Sequence, residues 1–344
     1  MIATPSGLAA TPALPPAAVR RSAAVALGIA FVHIVFGAIV RISGSGMGCG
    51  DNWPKCYGYW VPPFDRPDLI IEVTHRYLAA ALFVAIAACF TAAWRARRVP
   101  GVAGRGGPLR AAGLAVALWF APALFGAVTV FLGNAPWATV VHKLLAASLL
   151  AVLAATVLRA GGLGARRAIV QAGSARAVRG SAMAAGMALL AVLLGGLTAK
   201  IPNAAIACAG FPLCGPGSLG GGAQHVQLTH RVIAYLLAFH ILGLTIGFTR
   251  RREAGAVLGA VRVAMGVVVL QIALGASMVL LHFPPVLRSL HQATGIVLWL
   301  TTFVLAYLAR IAAGVSTPAF ATARPTPEMT PPLGTSIAAM GGTP

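Results

Sequence analysis

Glu72 and His75 stand three residues apart in Ile71-Glu72-Val73-Thr74-His75-Arg76, at the start of a long apolar run. On a helix that spacing places a carboxylate and an imidazole on one face. Only six acidic residues occur in the chain, and Glu72 alone lies inside an apolar stretch. An ionisable group at membrane depth is costly, so the pair marks a functional site. The frame returns once, as Gln227-Leu228-Thr229-His230-Arg231, with the Glu changed to Gln. His142 and His291 open two further apolar runs. All four histidines fall about 2–6 residues inside an outer end, roughly 3–9 Å deep at the helical rise. Two imidazoles at one level on two helices of a bundle are what axial coordination of a haem iron needs. Other metals would want more ligands, and the carboxylates to supply them are missing. Any one of these histidines alone would read as a helix-end residue satisfied by backbone; four at matched positions favour ligation.

The elements that must carry these residues are membrane spans. The chain has 344 residues, 58% hydrophobic and 9% charged, far from the composition of a soluble domain. Eight apolar stretches approach the ~20 residues a bilayer requires: 22–41, 69–93, 111–132, 138–158, 181–199, 226–249, 257–281 and 289–313. The reading is an all-α integral membrane protein. A net charge of +20 would suggest nucleic acid in a soluble protein, but 18 of the 26 basic residues fall at alternate connections and in the tail. The positive-inside rule assigns those segments, and both termini, to the cytoplasm. The charge therefore reports topology and gives no ground for a nucleic-acid partner. Residues 1–21 and 315–344, rich in Ala, Pro and Thr, read as disordered cytoplasmic tails, with the first span an uncleaved anchor.

Landmarks repeat. Gly37 and Gly196 are 159 apart and His75 and His230 are 155 apart, while Gly126, Pro136 and His142 each match Gly275, Pro285 and His291 at 149. Two four-helix bundles, 22–159 and 181–314, are joined by a cytoplasmic linker at 160–180. An even number of spans per half gives both copies the same orientation, hence a pseudo-two-fold axis along the membrane normal. Cys49 and Cys56 lie on the first outer connection, and Cys208 and Cys214 on the third. Each pair could close a short disulfide loop if the outside is oxidising, or be redox-active; neither spacing is CxxC. Cys89, near an inner end, reads as packing. His33 and His240 have no repeat partners and read as packed or hydrogen-bonded, and His225 and His282 as solvated at the interface. Arg76 and Arg231, each following a ligand candidate, could pair with haem propionates or simply snorkel. Trp137 after Pro136 reads as an interfacial anchor.

Val40-Arg41-Ile42-Ser43-Gly44-Ser45-Gly46-Met47 runs into Cys49 and Trp53-Pro54-Lys55-Cys56. Then come Glu72-Val73-Thr74-His75-Arg76, Gly126-Ala127-Val128-Thr129-Val130, Pro136-Trp137, His142, Thr229-His230-Arg231 and His291. In these motifs the sequence, over about 22–313, resembles the haem A synthase family. One departure is Gly50-Asp51-Asn52-Trp53, where the family pattern has a Pro beside the Asp. The resemblance implies an enzyme that oxidises the C8 methyl of haem O to a formyl group, giving haem A for terminal oxidases, by two hydroxylations and loss of water from a gem-diol. It implies His75 and His142 as axial ligands of the substrate haem, with Glu72 beside it as an acid/base or charge-stabilising group. His230 and His291 are implied as ligands of a resident haem b, and Cys49 and Cys56 as the family's outer-loop pair.

The residues support that division separately. Oxidising a methyl group builds positive charge near the carbon, which a carboxylate in low dielectric stabilises, and only the first half has one. Two rivals stand beside it: a two-haem electron-transfer cytochrome, and a haem carrier in oxidase assembly that performs no chemistry. The implied partners are haem O, the haem O synthase that supplies it, membrane lipid and an unidentified electron acceptor. A homo-oligomer is left open. The Arg-rich, Lys-poor usage points to a bacterial inner membrane.

Overall fold

The structure is a computed structural model that describes residues 14–322. Tail residues 1–13 and 323–344 lie outside the described residues. Among the described residues eight helices are long and apolar enough to cross a membrane, and no strand forms beyond an isolated bridge between Cys56 and Tyr59. The spans are α1 (Ala17–Ile42), α2 (Pro67–Arg95), α3 (Pro108–Phe131), α4 (Pro136–Arg159), α6 (Ala175–Thr198), α7 (Gly222–Arg250), α8 (Gly255–Leu280) and α9 (Pro285–Ala312). Short helices α5 (Ala165–Ile169) and α10 (Ala319–Thr322) lie on the linker and after α9. Every span appears where the hydropathy placed it, and each begins a few residues earlier. The cause is legible: Pro67, Pro108, Pro136 and Pro285 each sit in a first turn, where a missing N–H costs nothing. Ser174 caps α6 by accepting the Ala177 N–H at 3.1 Å.

Within residues 17–159, α1 packs on α2, α2 on α3, α3 on α4 and α4 back on α1. Within 175–312, α6, α7, α8 and α9 contact one another in the same cyclic order. Between the two rings α1 meets α9, α4 meets α6, and α4 meets α9. Much of the shared core is alanine, including Ala23, Ala26, Ala30, Ala184 and Ala188, all fully buried. Small side chains let helix backbones approach closely where lipid supplies no hydrophobic driving force. Trp299 adds a polar tie between the rings, donating from Nε1 to the Ala147 carbonyl at 3.3 Å.

Two boundaries differ from expectation. Residues 17–21 continue α1, because Pro16 permits a helix to start immediately after it. The segment after 314 does not leave the protein at once: Phe320 is buried and the Ala319 N–H donates to the Gly106 carbonyl at 3.1 Å.

Candidate functional site

Each of the four matched histidines faces a glycine on the preceding span. A Cβ built on Gly37 would lie 3.0 Å from His75 Cε1; on Gly126, 3.4 Å from His142 Cε1; on Gly195, 2.9 Å from His230 Cε1; on Gly275, 3.1 Å from His291 Cε1. The four imidazoles therefore occupy space that any other residue would fill, one on each of α2, α4, α7 and α9. His75 and His230 come eight residues after the first residue of their helices, and His142 and His291 six. At about 1.5 Å per residue they sit roughly 9–12 Å into the helix, about a turn deeper than the apolar boundaries suggest. The second-half glycine is Gly195, one residue from the Gly196 aligned by hydropathy. Gly196 faces Lys143 of α4 instead.

Nδ1 of all four rings is buried without a hydrogen-bond partner. The Pro122, Ala191 and Gln271 carbonyls stand beside the His142, His230 and His291 rings, and among the described residues no acidic side chain pairs with any of the four. The donor set is imidazole only: no cluster of three or more His, Cys, Asp or Glu is found among the described residues. Imidazole pairs between helices fit a haem and do not fit a multi-carboxylate metal site.

His230 and His291 share one cavity with Gly195, Gly275, Gln271 and Gln292. Gln271 Nε2 lies 3.3 Å from His291 Nε2. In the first half His33 of α1 stacks on His75, centroids 4.3 Å apart and planes 20° from parallel. Counting from Gly37 and Gly195, the position of His33 is taken in the second half by Ala191. His33 was expected to be packed or bonded; it is packed, with Nε2 buried and unpartnered. His240 bonds the Gly180 carbonyl at 2.9 Å, and His225 and His282 are exposed.

Cys49–Cys56 and Cys208–Cys214 are disulfides, and Cys89 is free and buried. Each short loop is held from the helix below by the residue three before a histidine. Glu72 Oε2 accepts the Cys49 N–H at 2.9 Å, and Gln227 Oε1 accepts the Cys208 N–H at 2.5 Å. Glu72 Oε1 also pairs with Arg76 at 2.6 Å, whereas Gln227 Nε2 donates to the Ala205 carbonyl at 3.0 Å. The two arginines are occupied with these loops. Arg76 donates to the Pro54 and Lys55 carbonyls, and Arg231 to those of Cys208, Gly210, Pro212 and Leu213. Both guanidinium groups, suggested above as propionate partners, are thus committed to backbone carbonyls.

Sequence reasoning missed the cations beside the second cavity. Arg41, Lys143 and Arg288 line it together with His230 and His291, and Arg41 Nη2 donates to Gln292 Oε1 at 2.7 Å. The available signal was basic residues at the span ends nearest the matched histidines, in a chain whose arginines otherwise cluster at the opposite ends of the spans.

The sequence pattern of the family described as cytochrome oxidase assembly protein matches residues 20–303. A heme A synthase of Shouchella clausii is 30% identical over 268 residues, 76% of this chain and 87% of that one. With a heme A synthase of Geobacillus kaustophilus, identity is 43% over 75 residues, 22% of this chain and 23% of the relative. A protoheme IX farnesyltransferase of Thermus thermophilus is 37% identical over 117 residues, 33% of this chain and 18% of its own length.

Proposed function

The chain belongs to the cytochrome oxidase assembly protein family, and from that membership we propose that it is a haem A synthase, a multi-pass membrane oxidoreductase converting haem O to haem A. The observation that carries the proposal is the set of four histidines, one on each of four spans, each seated against a glycine of the preceding span. In this reading His75 and His142 hold the substrate haem O, and His230 and His291 hold a resident haem b. The cyclic packing order of each set of four spans supports two bundles, 22–159 and 181–314, related by a pseudo-two-fold axis along the membrane normal. The basic alternate connections support an inner-membrane location with both termini in the cytoplasm.

His230 and His291 would hold the haem b, which would supply one-electron transfer. The rest falls to side chains of the first half. His75 and His142 fix haem O between α2 and α4, so that its C8 methyl is presented in one orientation. His33 covers one face of the His75 imidazole and limits how that ring can turn. Conversion of –CH3 to –CHO takes two two-electron oxidations, each adding one oxygen atom, through –CH2OH and –CH(OH)2, the latter losing water, with the four electrons leaving to an acceptor outside the chain. Glu72, buried and one helical turn before His75 on its face, provides the negative charge that stabilises positive charge growing at that carbon. Arg76 holds the carboxylate in place and compensates it in the resting protein.

The test is co-expression with a haem O source followed by chromatography of the extracted haems. Haem A, or its alcohol intermediate, is the expected product. Unchanged haem O beside a spectrally intact protein would instead favour an electron-transfer cytochrome, and transfer of haem O without oxidation a carrier.

A further inference from the structure

Four cationic side chains line a cavity that contains no acidic residue, and three of them, Arg41, Lys143 and Arg288, are not held by the disulfide loop. Arg41 lies in the last turn of α1, Lys143 directly follows His142 on α4, and Arg288 stands one turn before His291 on α9. All three line the cavity of His230 and His291. Arg41 is within electrostatic range of both Arg288 and Lys143. Lys143 Nζ would lie 3.0 Å from a Cβ on Gly196, so it reaches from the first set of spans to the face of α6 in the second. Lys200, just beyond α6, has its pKa drawn below the usual lysine value by burial and then by the Arg41 charge. The ion pairs among the described residues are Arg66–Asp68, Arg76–Glu72 and Arg251–Glu253, and none of these acids borders the cavity.

Like charges gathered in a low-dielectric place without a counter-ion are costly. Arg41 adds a second observation: its Nε is buried and has no partner, although Nη2 is satisfied by Gln292. Arg231, also on the cavity lining, contributes a further positive charge, since Gln227 does not neutralise it as Glu72 neutralises Arg76. The whole arrangement asks for an anion carrying more than one carboxylate-like group, at the end of the cavity toward the outer surface.

We propose that Arg41, Lys143 and Arg288 bind the two propionate carboxylates of a haem in the second cavity, and that the site is therefore composite, two of its three anchors coming from the first half of the chain. This rests on the reading that His230 and His291 hold a haem. Arg41 and Arg288 offer forked guanidinium donors suited to carboxylate, and Lys143 a point charge. The residue next to one axial ligand of the substrate site thus touches the ligand of the other site. Gln292, next to His291, is in turn gripped by Arg41.

The full chain, produced in haem-depleted cells and purified in detergent, would be titrated with protohaem and with protohaem dimethyl ester, in which both carboxylates are masked. The readout is the low-spin bis-imidazole spectrum, independent of any turnover. Wild-type protein should bind the diester at least roughly 10-fold more weakly, as expected when charge-assisted bonds are lost. The Arg41→Gln/Lys143→Met double variant should bind protohaem about as weakly as the diester, and Arg41→Lys/Lys143→Arg should regain the discrimination. Equal affinity of the wild type for both porphyrins overturns the proposal, as does full discrimination in the double variant. A wild type that gives no bis-imidazole spectrum with either porphyrin overturns the resident-haem reading itself, and is told apart from equal binding by the missing spectrum.

Discussion

The two disulfide loops are built on one plan and differ in a single charge. In each, a helix residue three before a histidine accepts the N–H of the first cysteine, and an arginine four further on holds loop carbonyls. Tyr77 and Tyr235, one and four residues after their respective arginines, repeat the theme by donating to the Trp60 and Pro212 carbonyls. Exchanging Glu72 for Gln227 leaves this architecture alone, because one carboxylate or amide oxygen suffices for the loop. It changes the electrostatics: Glu72 and Arg76 form a neutral pair, whereas Gln227 leaves Arg231 as a net positive charge beside a cavity already lined by Arg41, Lys143 and Arg288. The first half thus keeps its carboxylate in a neutral pair, and the second concentrates positive charge. A shared scaffold has been kept while the net charge beside the histidines differs between the halves. The other difference is steric, His33 against His75 where the second half has only Ala191.

The largest effects that could break this comparison come from the histidines. His230→Ala or His291→Ala should strip the resident haem from purified protein, read as loss of the low-spin bis-imidazole spectrum. His75→Ala or His142→Ala should abolish haem A in extracts while most of that spectrum survives. A spectrum lost equally in all four variants would mean that the halves are not specialised.

Next in size is the exchange of charge. Glu72→Gln should keep the Cys49 loop, since Gln227 already performs that task at Cys208. Removing one well-placed electrostatic group costs on the order of 10²–10³ in rate, so haem O and some alcohol intermediate should accumulate in extracts while haem binding persists. Gln227→Glu should leave product formation nearly intact and lower the resident haem's midpoint potential, because a new anion near an iron centre favours the oxidised form. Full haem A output from Glu72→Gln would remove the carboxylate from the chemistry and leave it only its loop contact.

Much of this was legible in the chain. Hydropathy period and length located every span, because a bilayer imposes ~20 apolar residues with little room for exceptions. The histidines and Glu72 stood out because ionisable residues are so scarce within spans. What stayed hidden depends on rotation about helix axes. His33 lies two turns from any motif, and only the packing of α1 on α2 brings it over His75. Lys143 reads as one more cation next to His142, and successive residues differ by about 100° around a helix, so only the position of α6 shows which cavity it enters. The one-residue offset between Gly195 and Gly196 escaped for the same reason: adjacent glycines are equivalent in hydropathy but face different neighbours.

The smallest and most graded test concerns the glycines themselves. If each ring is positioned by the glycine opposite it, then adding one methyl group should disturb the four rings in the order of their clearances. Those are 2.9 Å at Gly195, 3.0 Å at Gly37, 3.1 Å at Gly275 and 3.4 Å at Gly126. The last is ordinary van der Waals contact, so Gly126→Ala should be tolerated, with haem A output within about twofold of wild type. A helical Gly→Ala change that the surroundings accommodate even gains about 0.4–1 kcal/mol in stability, because the unfolded chain loses freedom. At Gly195 the methyl would press on Cε1 of the His230 imidazole, and overpacking of this kind typically costs about 1–3 kcal/mol. Gly195→Ala should therefore shift the resident haem's spectrum toward a high-spin component as His230 is pushed aside. Gly37→Ala should lower haem A output without touching that spectrum, because His75 belongs to the other half. Gly275→Ala, between the extremes, should perturb the resident haem less than Gly195→Ala does. A flat response, with all four alanine variants alike in spectrum and product, would show that the rings are held by something other than the glycines they face.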